Sequence, residues 1–182
     1  MAETLRRTGR RNRDDEPESE FTEKIISVNR VSKTVKGGRH FGFSVLVCVG
    51  DQKGKVGIGI GKANAVPDAV RKGLDKAKRS MTSIPLYKTT ITHPLHGRFG
   101  AAEVIMKPAA PGTGVIAGGP VRAILDALGV KDVLAKKIGS NNPVNLAKAT
   151  MNALANMRSV EKVAKMRGIP VEQVLNGPAQ GA

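Results

Sequence analysis

The sequence is poor in the residues from which most catalytic and stacking devices are built. It has no tryptophan, one tyrosine and four phenylalanines in 182 residues, so a core must be assembled from Val, Ile, Leu, Ala and Met. A single cysteine, Cys48, excludes an intramolecular disulfide and a multi-cysteine zinc site. Within the apolar run SVLVCV it reads as a small buried residue. Three histidines supply one HxxH pair, His93 and His96. Pro94 lies inside that pair, and neither a helix nor a further ligand completes a metal site. No Ser/His/Asp arrangement stands out. The chain has no long apolar run, no signal peptide and no lipidation motif, which leads to the expectation of a soluble intracellular protein without a membrane partner. Acids are scarce too. Fifteen Asp and Glu face thirty Lys and Arg, a net charge of +15 with a pI near 10.4. Such a surplus points to a polyanionic partner, because each phosphate neutralised releases counterions.

The charge is unevenly spread. Residues 1–23 hold five arginines and seven acids, with RRTGRRNR followed by DDEPESE and no apolar period, the composition of a disordered tail. Residues 24–98 hold fifteen bases against three acids, and residues 99–182 ten against five. The first folded half is therefore the more basic. There, KIISVNRVSKTV and FGFSVLVCV read as strands joined by the turn KGGRH, and GDQKG turns into a third strand, KVGIGIG. Val66–Met81 reads as a helix, with Val66, Val70, Leu74 and Ala77 as its apolar stripe and Pro67 in its first turn. Pro85 in TSIPLY marks a boundary. The second half is expected to hold strands at Leu86–Ile91, AAEVIMKPA and Val133–Ile138. Helices are expected from Pro120 to about Leu128, from Pro143 to about Met157, and from the Ser159 cap to Arg167.

Glycine is the abundant residue, and three stretches mimic known motifs, two of them nucleotide sites and one an RNA-recognition motif. GKVGIGIGKANAV has Val56 where a Walker loop needs glycine and Ala63 where it needs Ser or Thr; the dinucleotide fingerprint fails on Lys62 and Asn64. GTGVIA, Gly112 to Ala117, satisfies G-x-G-x-x-A, but Gly118-Gly119-Pro120 postpone the helix and no acid follows the next strand. RHFGFSVL approaches the RNA-recognition-motif pattern, yet His40, Ser44 and Leu46 depart from it and no helix separates the two strands. Phe41 and Phe43 share a strand face, read as packed. On the third strand Gly57 and Gly59 clear one face for a close approach, by a helix or another backbone. Lys62 precedes a helix N-terminus, where free N–H groups favour phosphate. Phosphate is then expected as part of a nucleic-acid backbone.

Three strands and a glycine-rich approach to a helix resemble the double-stranded-RNA-binding domain, truncated because the tail stands where its first helix would be. That fold reads RNA by shape, through 2′-hydroxyl and phosphate contacts. A closer resemblance runs through VNRVSKTVKGGRHFGFSVLVCVGD, GKVGIGIGKANAVPDAVRKGLDKA, GTGVIAGGPVRAILDALGVKDVLAKKIGSNNPVNLAKAT and RGIPVEQVL. In this order they are similar to the bacterial small-subunit ribosomal protein S-five family, over nearly everything after residue 20.

The resemblance implies an α+β fold. A truncated double-stranded-RNA-binding-like domain would span residues 21–84 and a small β-α-β domain residues 85–168. Residues 169–182 would form an extension with a short helix, and residues 1–20 a disordered tail. It implies a structural, non-enzymatic component of the cytoplasmic ribosome, with no cofactor, metal or small-molecule substrate. Such a component binds small-subunit rRNA, stabilises head against body near the mRNA entrance, contacts proteins S-four and S-eight, and influences translational accuracy. A free-standing double-stranded-RNA chaperone or regulator is the alternative. The family's rRNA-contacting hairpin falls on Ser32, Lys33, Thr34, Lys36, Gly37, Gly38, Arg39 and His40. Arg30, Lys53, Lys55 and Lys62 join them as expected RNA contacts. The family's protein-facing surface falls on Gly112, Thr113, Gly114 and Arg122.

Overall fold

Valine-rich alternation builds the first sheet. In the computed structural model, which describes residues 21–176, β1 (Thr22–Val35), β2 (Gly38–Gly50) and β3 (Lys55–Ala63) form an antiparallel meander. The two-residue β4 (Thr82–Ser83) adds to β3, giving the order β1-β2-β3-β4. The tail expected over residues 1–20 lies outside the described residues. Helix α1 (Val66–Arg79) lies over β2 and β3. Its contact ridge is Ala69, Gly73 and Ala77, spaced i, i+4, i+8; of the expected stripe of Val66, Val70, Leu74 and Ala77, Ala77 lies on that ridge while Val70 and Leu74 pack at its edge. The cause is β3. A Cβ on Gly57, Gly59 or Gly61 would collide with the backbone of α1 at Ala77, Gly73 and Ala69. Backbone packed against backbone demands small residues on both sides, so the larger Val70 and Leu74 rotate to the rim and stay half-buried. β3 also runs on to Ala63, so Gly61-Lys62 is strand and not a phosphate-cradling loop.

The second sheet has the order β5-β6-β8-β7. Here β5 is Leu95–Phe99, β6 Ala102–Pro108, β7 Val115–Ile116 and β8 Val133–Gly139. Helix α2 (Gly119–Leu128) connects β7 to β8, which pair in parallel, so β7-α2-β8 is a β-α-β unit. Helix α3 (Pro143–Ala155) packs on β5 and β6, its Ala149 and Ala153 resting on Gly97. Helices α4 (Val160–Arg167) and α5 (Val171–Asn176) follow, with the Ser159 hydroxyl accepting from the Lys162 N–H at 3.2 Å. The strand expected at Leu86–Ile91 is absent. That segment is a tight turn in which Tyr87 and Thr90 pair with each other and Lys88 adopts φ +53°. Its Thr89 carbonyl accepts the N–H groups of Lys131 and Asp132, so it braces the start of β8 and joins no sheet. The overall class is the expected α+β.

The halves share a core. Leu46, Cys48 and Val56 on the face of the first sheet away from α1 belong to one apolar cluster with Ile124, Leu125 and Leu128 of α2. Around it, the N–H of Gln52 donates to Ala127 O at 3.1 Å, that of Gly54 to Leu128 O at 3.3 Å, and Lys24 Nζ pairs with Asp126 at 2.8 Å. Cys48 is fully buried there, its thiol on the Ala123 carbonyl at 3.5 Å, and burial pushes that thiol up to about 11.

Candidate nucleic-acid interface

β3 stops pairing with β2 at Phe43, whereas β1 and β2 continue to pair from Val31↔Gly42 to Val35↔Gly38. Five residue pairs therefore project beyond the three-stranded sheet as a two-stranded arm, roughly 16 Å long at the usual strand rise. Lys36 and Gly37 close its tip. Gly37 has φ +102° with nothing within 4 Å of a notional Cβ, so glycine is required by backbone conformation and not by crowding. Ser32, Lys33, Thr34, Lys36, Gly37, Gly38, Arg39 and His40 are all exposed.

Directly paired residues of an antiparallel ladder point to the same side. The register therefore assigns Lys33 and His40 to one face of the arm, and Arg30, Thr34 and Arg39 to the other. With Lys36 at the tip, the arm is cationic on both faces. None of Lys33, Lys36 and Arg39 takes part in an ion pair among the described residues. Their charge is available to phosphate.

Lys62, opposite Ser44, lies just behind the base of the arm and is exposed. Lys53 and Lys55 do not join it. They flank the β2–β3 turn at the other end of the 13-residue β2, about 40 Å from the arm tip. There their backbone N–H groups both donate to the Asp51 carboxylate at 2.8 Å. Helix α1 presents Arg71, Lys72, Lys76, Lys78 and Arg79 to solvent; Lys78 pairs with Glu23 at 2.9 Å.

The glycine loop before α2 is built differently. Gly112 (φ +90°) and Gly114 (φ +78°) direct their N–H groups at the Asp132 carboxylate, 2.9 and 3.0 Å away. The Gly114 N–H, then the Thr89 hydroxyl, hold that carboxylate below its ordinary range. Nothing in the sequence singles out Asp132 as functional, since it precedes a strand where a nucleotide fold would need an acid after one. The loop's N–H groups, which a nucleotide phosphate would need, are already taken by the protein's own anion. Gly112 and Thr113 are exposed, and Arg122 follows in the first turn of α2, its guanidinium 3.9 Å from Asp126 and largely in solvent. The histidines separate as well: His96 pairs with Glu103, and His93 lies beside the Thr92 hydroxyl.

The Asp132 clamp carries a pH prediction. A carboxylate with a depressed folded-state pKa contributes stability that is complete above its unfolded value, near 3.9. That contribution is lost as pH falls through the lower folded value. The amide resonances of Gly112 and Gly114 are therefore expected to hold steady down to about pH 4 and to titrate together below it. In Asp132→Ala both amides should exchange with solvent at least about tenfold faster at neutral pH. Unchanged exchange would mean that the loop holds its shape without the clamp.

A basic α+β protein of two sheets, with a cationic arm at one end and a carboxylate-pinned loop at the start of its β-α-β unit, is the class defined by these features. Residues 21–85 match the family described as ribosomal protein S5, N-terminal domain, and residues 97–167 match ribosomal protein S5, C-terminal domain. The chain belongs to the ribosomal protein S5 family. It is 51% identical over 177 residues to the small ribosomal subunit protein uS5 of Phenylobacterium zucineum, covering 97% of this chain and 91% of that protein. It is 54% identical over 155 residues to the uS5 of Syntrophobacter fumaroxidans, covering 85% and 93%. With the uS5 of Dinoroseobacter shibae it shares 50% over 184 residues, covering 100% and 95%. These relatives are named as ribosomal proteins, not enzymes.

Proposed function

We propose that the chain is a structural component of the small ribosomal subunit that grips small-subunit rRNA with its arm. The carrying observation is the arm itself: a two-stranded projection with Lys33, Lys36 and Arg39 exposed and in no ion pair among the described residues, on a half with fifteen bases against three acids. Phosphate contacts of this kind position a protein on RNA. Arg30, Ser32, Thr34 and His40 extend the contact along both faces, the glycines admit close approach at the tip, and Lys62 continues it at the base. Lys53 and Lys55, at the far end of the sheet, serve a second and separate RNA segment.

Gly112, Thr113, Gly114 and Arg122 form the face turned to a protein neighbour. A loop held rigid by Asp132 offers backbone groups and one guanidinium, which suits a protein surface better than a polyanion. Family membership supports proteins S-four and S-eight as the neighbours. It also supports a position between head and body near the mRNA entrance, and an influence on translational accuracy. The shared core between the halves suits that task, because force on the arm reaches α2 through packed side chains.

A salt titration tests the reading. With on the order of five phosphates neutralised, log K for an rRNA transcript should fall against log salt with a slope of roughly −3 to −5. The transcript should also displace the protein from duplex DNA of equal length. A slope near zero, or equal affinity for the duplex DNA, would count against it.

A further inference from the structure

Phe41 is misplaced for a hydrophobic residue. It is one of four phenylalanines in the chain, yet it is 50% exposed, on an arm that has no core to receive it. Its neighbour two residues on, Phe43, is half-buried beside the layer under α1. The structure thus separates two rings that alternation alone puts together. In the register Phe41 stands opposite Ser32, on the arm face of Arg30, Thr34 and Arg39. The Arg30 guanidinium lies over it, 3.9 Å from the ring centroid. A cation over a ring face is attracted by the ring quadrupole, and here the contact holds two flat groups together within reach of solvent.

We propose that Arg30 and Phe41 form a stacking site for one unpaired nucleobase. The proposal rests on the rRNA reading above and adds a contact of a different kind. Paired bases in helical RNA are shielded, whereas bases in loops and bulges splay out and stack on aromatic rings or guanidinium planes. A base covering Phe41 removes its apolar surface from water, a gain that salt does not screen. Arg39 and Thr34 on the same face supply donors for the phosphates on either side of the stacked base. Lys33 and His40 face away and take no part. The arm then combines phosphate contacts, which depend on salt, with one base contact, which does not.

The chain has no tryptophan, so Phe41→Trp places a single indole reporter at the site. In the full chain its emission is expected to be quenched by a small-subunit rRNA transcript and by a single-stranded twelve-residue oligoadenylate. A twelve-base-pair RNA duplex should quench it far less. Phe41→Leu should weaken binding of the transcript roughly tenfold, a typical effect of removing one stacked base, with the salt slope unchanged. Phe41→Tyr should restore the wild-type affinity. Equal quenching by duplex and single strand, or wild-type affinity in Phe41→Leu, would overturn the stacking site while leaving the arm's phosphate contacts in place. Failure of the wild-type chain to bind the transcript at all would instead remove the rRNA reading, and the stack with it. The indole readout stands even where Phe41→Leu folds poorly.

Discussion

Replacing Lys33, Lys36 and Arg39 together by alanine is expected to abolish most of the affinity for small-subunit rRNA while leaving the fold intact. Each side chain projects from the arm and takes part in no ion pair among the described residues, so its removal leaves no buried group unsatisfied. A charge-assisted bond from each of these cations to phosphate is worth about 1.5–3 kcal/mol. Three of them amount to at least about 4 kcal/mol, or roughly a thousandfold in Kd. The salt slope should become shallower by about two to three, because three fewer counterions are released. Filter binding across a salt series measures both quantities, and circular dichroism checks the fold.

The control is Lys53→Ala with Lys55→Ala. Those residues lie some 40 Å along β2 from the arm tip, roughly its length at the usual strand rise. Asp51 holds their turn through backbone N–H groups, which alanine retains. The double variant should therefore weaken rRNA binding modestly and keep its structure. A triple variant that binds within about threefold of wild type, beside a double variant that fails, would move the principal rRNA contact from the arm to the β2–β3 turn.

Much of the candidate site could be read from residue type alone. KGG between two alternating runs is a turn with lysine at its corner, and the basic residues around it need only be exposed to meet phosphate. What residue type does not carry is where β3 ends relative to β2. The arm exists only because pairing with β3 stops at Phe43 while pairing with β1 continues. The same register separates Lys53 and Lys55 from the arm, and Phe41 from Phe43. The fold shows a parallel limit. α2, α3 and α4 follow from Pro120, from Pro143 and from Ser159, each a local signal. β5 escapes a sequence reading because its second inward residue is Gly97, which contributes no apolar side chain to the alternation yet receives α3. β7 is two residues long and exists only as the partner of β8. Asp132 escapes because its partners are backbone N–H groups about twenty residues away.

The stripe Gly57, Gly59 and Gly61 yields the largest expected effect on stability. Gly59→Ala adds one methyl group and should still destabilise the protein by about 3 kcal/mol or more, at the upper end for overpacking. Two ordinary effects oppose this, since alanine lowers the entropy of the unfolded chain and suits a strand better than glycine. Together they favour the variant by about 1 kcal/mol. The clash outweighs them because nothing yielding stands in the way. The new Cβ would lie 2.7 Å from the Ala77 nitrogen and closer still to the Gly73 carbonyl oxygen, both backbone atoms of α1. Relief requires the helix to lift as a body from Val45, Val47 and Val49, the buried residues beneath it. At about 2–4 °C per kcal/mol for a chain of this size, Tm should fall by roughly 10 °C. Gly119→Ala is the matched control, at the first position of α2 with open space around its Cβ. It should leave Tm unchanged or raise it slightly. If Gly59→Ala melts within about 2 °C of wild type, α1 does not rest backbone to backbone on β3, and the glycines of that strand need another explanation.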